Sequence, residues 1–272
     1  MTTGRIGPWM QTFSGVRFYP LDPRPEDVKL EDIAHALSLL CRFGGHVQTH
    51  YSVAEHSLRV ATALLHFIAG PGSGHVLTDE GIDLGLDALF HDGAEYVVGD
   101  VIWPVKQVIA SLFGPVEHGV DQAIRTCFRL PLTQSRSVKR FDLILLATEK
   151  RDLLDPSADR SVDKERIAAE HWGQLGDIEP LPDVIVPWSA ADAERAFLRM
   201  ARSLFRARTV HDVGADSARR YTTHRPYCMA CTHPLEPARS ISDGEPTFRG
   251  FHPCPDHPEA TVVYPSIPPE LL

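Results

Sequence analysis

Apolar positions recur at helical spacing along most of the chain up to about residue 210. In KLEDIAHALSLL, between Val28 and Leu40, Ile33, Leu37 and Leu40 share a stripe, and Gly44-Gly45 break it. A second helix is expected to start at Ser52, an N-cap with Glu55 three residues on, and to carry Val53, Leu58, Ala61, Leu65 and Ile68. GPGSGHVLTDEG then reads as a loop. A third helix is expected over 82–96, with Ile82, Leu86, Leu89 and Phe90 inward and Gly99 beyond its end. Pro115 suits the first position of a fourth helix running to Arg129. Val138–Asp152 places Phe141, Leu145 and Thr148 on one stripe, and ADAERAFLRMARSLFRAR is a strongly amphipathic helix. Residues 1–27 are broken by glycines and prolines and read as an extended arm, with a short hairpin through Trp9–Phe18. No alternating strands or repeats interrupt this pattern, so the first 210 residues read all-α.

Composition changes this picture mainly at the C-terminal end. Ten of the 22 prolines follow His224, which disfavours helix there and sets a boundary near 210–225. The expected organisation is an arm over 1–27, a helical domain over 28–210 and a Pro-rich Cys/His tail over 225–272. The chain's 272 residues suffice for a sizeable core. A net charge of −9 argues against wrapping duplex nucleic acid, which needs many Lys and Arg against phosphate. No apolar run reaches the roughly 18–20 residues of a membrane helix, so no membrane partner is expected. MTTGRIGPWMQTFSG lacks the apolar stretch of a secretory signal, and a cytoplasmic location is the expectation.

Ionisable residues embedded in apolar helical patterns supply the candidate chemistry. His56 lies in YSVAEHSLRVA, His91-Asp92 in LDALFHDGAEYVVGD, and Asp142 in VKRFDLILLATEKRD. Each alone has an ordinary explanation, as a hydrogen-bonded core histidine or a capping aspartate. Together they form a mixed nitrogen and oxygen set suited to a divalent transition metal with positions left open.

The order His, His-Asp, Asp on successive helices resembles the HD-domain metal phosphohydrolases. LFHDGAEYVVGDVIWPVK is similar to the second block of the 5′-deoxynucleotidase branch, VAEHSLRVA to its first and VKRFDLILLATE to its last. RFGGH is similar to phage and prophage relatives of that branch. The resemblance covers about residues 28–155, continues more weakly to 208, and implies an HD-domain helical bundle. It implies His56, His91, Asp92 and Asp142 as ligands of one divalent ion (Co, Mn, Zn, Ni or Fe). Glu95, one turn after Asp92, is the candidate general base, and Asp100 the candidate sugar or proton-transfer contact. Arg42 stands where the branch has a conspicuous Arg suited to gripping phosphate. Phe43 replaces the Trp that follows it there, which weakens the case for strict deoxyribose selection. Lys106 and His46 are further candidate substrate contacts, with a surface lysine and a polar rim as the plain alternatives; His50 lies on the same rim.

In the tail, Cys228-x2-Cys231 and Cys254-x2-His257 have the spacing of a zinc-ribbon-like structural site, with His233 and His252 as competing ligands and a flexible tail as the alternative. The expected activity is hydrolysis of a deoxynucleoside monophosphate to deoxynucleoside and phosphate. A deoxynucleoside triphosphate triphosphohydrolase is the nearest rival, and a nucleotide-sensing adaptor the rival of another class. The resemblance also implies a homodimer or higher homo-oligomer.

Overall fold

The computed structural model describes residues 4–70, 77–154 and 172–212, together with the backbone of 227–228, 237–242, 245–251 and 262–263. Among the described residues there are seven α-helices, and the chain is mostly helical. They are α1 (Leu30–Leu39), α2 (Val53–Ala69), α3 (Asp79–Leu89), the single turn α4 (Glu95–Val98), α5 (Trp103–Phe128), α6 (Arg136–Leu153) and α7 (Ala190–Asp212). The chain divides into two compact units, one of residues 1–65 and 83–198, the other of residues 66–82 and 199–272.

The first unit carries the candidate chemistry. Its arm forms the expected hairpin, β1 (Met10–Gln11) antiparallel to β2 (Arg17–Phe18). Ser14 fastens that hairpin to α1 by donating to the Asp32 carboxylate from its backbone N–H at 2.6 Å and its hydroxyl at 2.9 Å. Ser52 caps α2, its Oγ accepting the Glu55 N–H at 3.1 Å. Ser135 caps α6 in the same way through the Ser137 N–H. The core is built on Phe18, Ile33, Leu37, Leu58, Leu86 and Phe90, all essentially buried. Phe90 meets Phe197 edge to face with ring centroids 5.5 Å apart.

A buried ion pair ties α5 to α3 and to the start of α6. Arg125 on α5 donates to Asp87 Oδ1 on α3 at 2.9 Å, and Asp87 Oδ2 accepts the Ser135 N–H at 2.8 Å. Two carboxylates of α2 and α6 bind the segment 181–188: Glu55 accepts the Trp188 N–H and Asp152 the Ile185 N–H.

Two helix boundaries differ from expectation. The helix expected over 82–96 ends at Leu89, and α4 begins only at Glu95. Between them the chain turns, with the Gly93 N–H donating to the Phe90 carbonyl at 2.8 Å and the Glu95 N–H to the Asp92 carbonyl at 3.1 Å. The helix expected to start at Pro115 starts at Trp103, with Pro104 in its first turn and Pro115 inside it. Pro115 removes the N–H that would bond the Ser111 carbonyl, and Ser111 is exposed, so water can satisfy that group.

In the second unit, the described strands form two antiparallel pairs: β3 (Tyr227–Cys228) with β6 (Val262–Val263), and β4 (Pro237–Ser242) with β5 (Glu245–Phe251). Of the expected tail zinc ligands, Cys231, Cys254 and His257 lie outside the described residues, and Cys228 is described only by its backbone.

Candidate metal centre

Four side chains from three segments meet in the first unit. His56 projects from the second turn of α2, His91 and Asp92 from the turn after α3, and Asp142 from α6. The Nε2 atoms of His56 and His91 are 3.2 Å apart. Asp142 Oδ1 lies 3.3 Å from the first and 3.8 Å from the second. Asp92 Oδ2 lies 3.5 Å from His56 Nε2 and 3.2 Å from His91 Nε2. One donor atom from each of His56, His91 and Asp142 fits within a mutual 4.8 Å.

The protons of the two rings are assigned by their other nitrogens. His56 Nδ1 is 2.6 Å from Glu149 Oε1, and His91 Nδ1 is 2.7 Å from the Ala88 carbonyl. Carbonyls and carboxylates only accept, so each Nδ1 carries a hydrogen, and in the neutral ring each Nε2 presents a lone pair. Two ring nitrogens and two carboxylate oxygens thus face one another, a donor set that could hold a metal ion. Donors bound at about 2.1 Å and separated by angles of 90–109° stand about 3.0–3.4 Å apart, the spacing of the two imidazoles. The residues could therefore hold a metal ion.

The electrostatics favour positive charge on the two rings. Burial alone would lower the His56 pKa, as would Arg42, but Glu149 and Asp142 outweigh both and pull it up to about 9. His91 is raised against its burial by Asp92. Burial would raise the carboxyls of Asp92 and Asp142, yet the facing imidazoles hold both well below the usual carboxylate range. Asp142 also receives a hydrogen bond of 2.8 Å from Lys139, whose side chain is 57% exposed and so keeps a solvent-facing positive charge beside the cluster.

No family model matches the chain. Over 145 residues, 53% of the chain, it is 34% identical to the uncharacterized protein YfdR of Escherichia coli strain K12, covering 72% of that protein. The chain belongs to the YfdR family. An uncharacterized protein of Rhodobacter capsulatus is 38% identical over 134 residues, 48% of this chain and 64% of the relative.

The remaining candidates of this YfdR-family chain divide into those beside the four donors and those apart from them. Glu95 is buried, and its Oε2 has no hydrogen-bond partner among the described residues. Burial, then Asp92 and Asp100, push its pKa well above the ordinary glutamate value, against Arg42 and Lys106. Asp100 is raised by burial, with Arg42 and the Phe43 backbone N–H opposing. Arg42 is buried and turned to carboxylates: its Nε and Nη2 each lie 3.2 Å from Glu149 Oε2 and its Nη1 3.4 Å from Asp92 Oδ2. Phe43 lies under that guanidinium, 5.3 Å from ring centroid to Cζ, in the left-handed region at φ 56°. Lys106 pairs with Glu117 of its own helix at 2.5 Å. His46 and His50 are exposed and do not belong to the donor cluster.

Sequence reasoning missed Glu149 and Lys139. Glu149 is fully buried and lies seven residues, two helical turns, after Asp142, on the same face of α6. A glutamate at that spacing inside an apolar stripe is the signal that could have found it. Lys139 stands one turn before Asp142, an ordinary i,i+3 ion-pair spacing that carries no distinctive signal.

Proposed function

We propose that the protein is a metal-dependent phosphohydrolase of the HD-domain type acting on a nucleotide, with a 5′-deoxynucleoside monophosphate as its first substrate. The observation that carries this reading is the convergence of two imidazole lone pairs and the Asp92 and Asp142 carboxylates beside a buried glutamate with an unpartnered oxygen. His56, His91, Asp92 and Asp142 would hold the ion. A bound divalent ion supplies Lewis acidity toward a phosphoryl oxygen and acidifies water.

The chain's own groups account for the rest. Glu95, with its raised pKa and unpartnered Oε2, accepts the proton of the attacking water. Asp100, half-buried and within electrostatic reach of Asp92 and His56, is available to a sugar hydroxyl. Lys139 offers a solvent-facing cation to phosphate oxygens, a role for which Arg42 is less free because Glu149 and Asp92 engage it. An aromatic wall at Phe43 remains for the nucleoside. The four ordered sequence blocks favour the HD-domain reading over an unrelated metal site.

The test is a product assay. Protein loaded in turn with Mn, Co, Ni, Fe, Zn and Mg is incubated with each deoxynucleoside mono- and triphosphate, and products are separated by chromatography. Deoxynucleoside with orthophosphate is the expected result. Deoxynucleoside with triphosphate would select the triphosphohydrolase, and metal-loaded protein inert toward the whole set would overturn the enzymatic reading. In the same assay Lys139→Ala should raise KM for the monophosphate more than it lowers kcat.

A further inference from the structure

We infer that Glu149 and Arg42 act as one positioning unit that sets the orientation of two metal ligands at once. The inference rests on the metal-site reading above and goes beyond its ligand set. A chain of charged groups runs from His56 Nδ1 to Glu149 Oε1 at 2.6 Å, from Glu149 Oε2 to Arg42 at 3.2 Å, and from Arg42 Nη1 to Asp92 Oδ2 at 3.4 Å. Its two ends are ligands from different segments, α2 and the turn after α3.

Each link has a defined consequence. The Glu149 carboxylate accepts the His56 Nδ1 hydrogen, so it fixes both the tautomer and the rotation of the ring and aims Nε2 at the ion. Glu149 is fully buried, and a buried carboxylate needs a counter-charge. Arg42 supplies it with two nitrogens on one oxygen and spends its third on Asp92. Arg42 itself is held by its backbone. Its N–H donates to the Tyr51 carbonyl at 2.9 Å, which closes the loop leading into α2. The three residues after it, Phe43, Gly44 and Gly45, all have positive φ, so the turn that presents the guanidinium is sharply defined. Tying the turn, α6 and α2 together through one carboxylate makes ligand geometry depend on a residue that touches neither ion nor substrate.

The experiment is metal titration of the full chain, stripped of metal and followed by calorimetry and by the visible absorption of Co(II). Glu149→Gln keeps the shape and removes the charge. The apo variant is first checked for folding by circular dichroism. The expected result is a folded protein whose Co(II) affinity falls about 10-fold or more, with a changed Co(II) spectrum. A merely structural residue would lower the melting temperature and leave the spectrum of the loaded site alone. A folded Glu149→Gln protein with less than about a 10-fold loss and an unchanged spectrum would overturn the inference. Where Glu149→Gln does not fold, Arg42→Met reads the same chain: a threefold or greater loss of affinity supports it and a smaller one overturns it. Wild-type protein that binds none of the metals would instead overturn the metal-site reading, so the two failures are distinguishable.

Discussion

At the scale of single residues, the cluster separates carboxylates that are paired from one that is not. Asp142 has one oxygen on the imidazole cluster and the other on Lys139. Glu95 has one oxygen with no hydrogen-bond partner among the described residues. Truncating them should therefore have different signatures. Asp142→Ala should lose metal and turnover together, because it removes a donor and leaves Lys139 without its partner. Glu95→Gln should keep metal content and lose about 100-fold or more in kcat, the usual scale of a general base. Metal analysis beside single-turnover kinetics checks both. Undiminished turnover in Glu95→Gln would remove that residue from the chemistry. That these four residues cluster was legible in the sequence because an ionised side chain inside an apolar stripe is costly unless something compensates it. Glu149 sits in such a stripe too, but a glutamate followed by Lys150 and Arg151 reads as the beginning of a solvated helix end, and its role depends on a pairing 107 residues away in sequence.

At the scale of elements, the decisive feature is the break between α3 and α4. A continuous helix would send successive residues His91 and Asp92 about 100° apart around its axis. The turn brings His91 Nε2 and Asp92 Oδ2 within 3.2 Å instead and buries Glu95 beside them. Gly93 makes it possible: a Cβ there would come within 2.9 Å of the Phe90 carbonyl oxygen and 3.3 Å of the Ile124 side chain. Backbone cannot yield as a side-chain tip can. Gly93→Ala should cost roughly 1–3 kcal/mol, the scale of overpacking, and should weaken metal binding by moving two ligands. Denaturant unfolding with and without metal measures both effects, and full stability with unchanged affinity would show that the turn tolerates a side chain. The periodicity that predicts a helix through this segment is real, since Ile82, Leu86, Leu89 and Phe90 are all buried. What the pattern does not carry is the local i to i+3 bonding that ends it. The start of α5 was hidden for the opposite reason. Val105, Val108 and Leu112 are 45%, 83% and 80% exposed, so its first turns bury no stripe, and two prolines imitate boundaries.

At the scale of the whole molecule, the four donors come from three segments of one unit and lie as much as 86 positions apart, from residue 56 to residue 142. An ion held by all of them cross-links α2, the turn after α3, and α6. Ligands that bind only the native state stabilise by mass action, by about 2.7 kcal/mol at a hundredfold excess over Kd. For a unit of this size each kcal/mol shifts the melting temperature by about 2–4 °C. Chelation should therefore lower the transition of this unit by about 5–10 °C, and adding the ion back should restore it. The buried pair of Arg125 with Asp87 lies outside the donor set and should keep α3, α5 and α6 together after the metal is removed. Far-ultraviolet circular dichroism should consequently retain its helical signal at low temperature. Loss of helix at once on chelation would mean that the ion organises the bundle rather than bracing it. A melting temperature indifferent to both chelator and ion would mean that the imidazoles meet their demand for positive charge with a proton, and that these four residues form a hydrogen-bonded cluster instead of a metal centre.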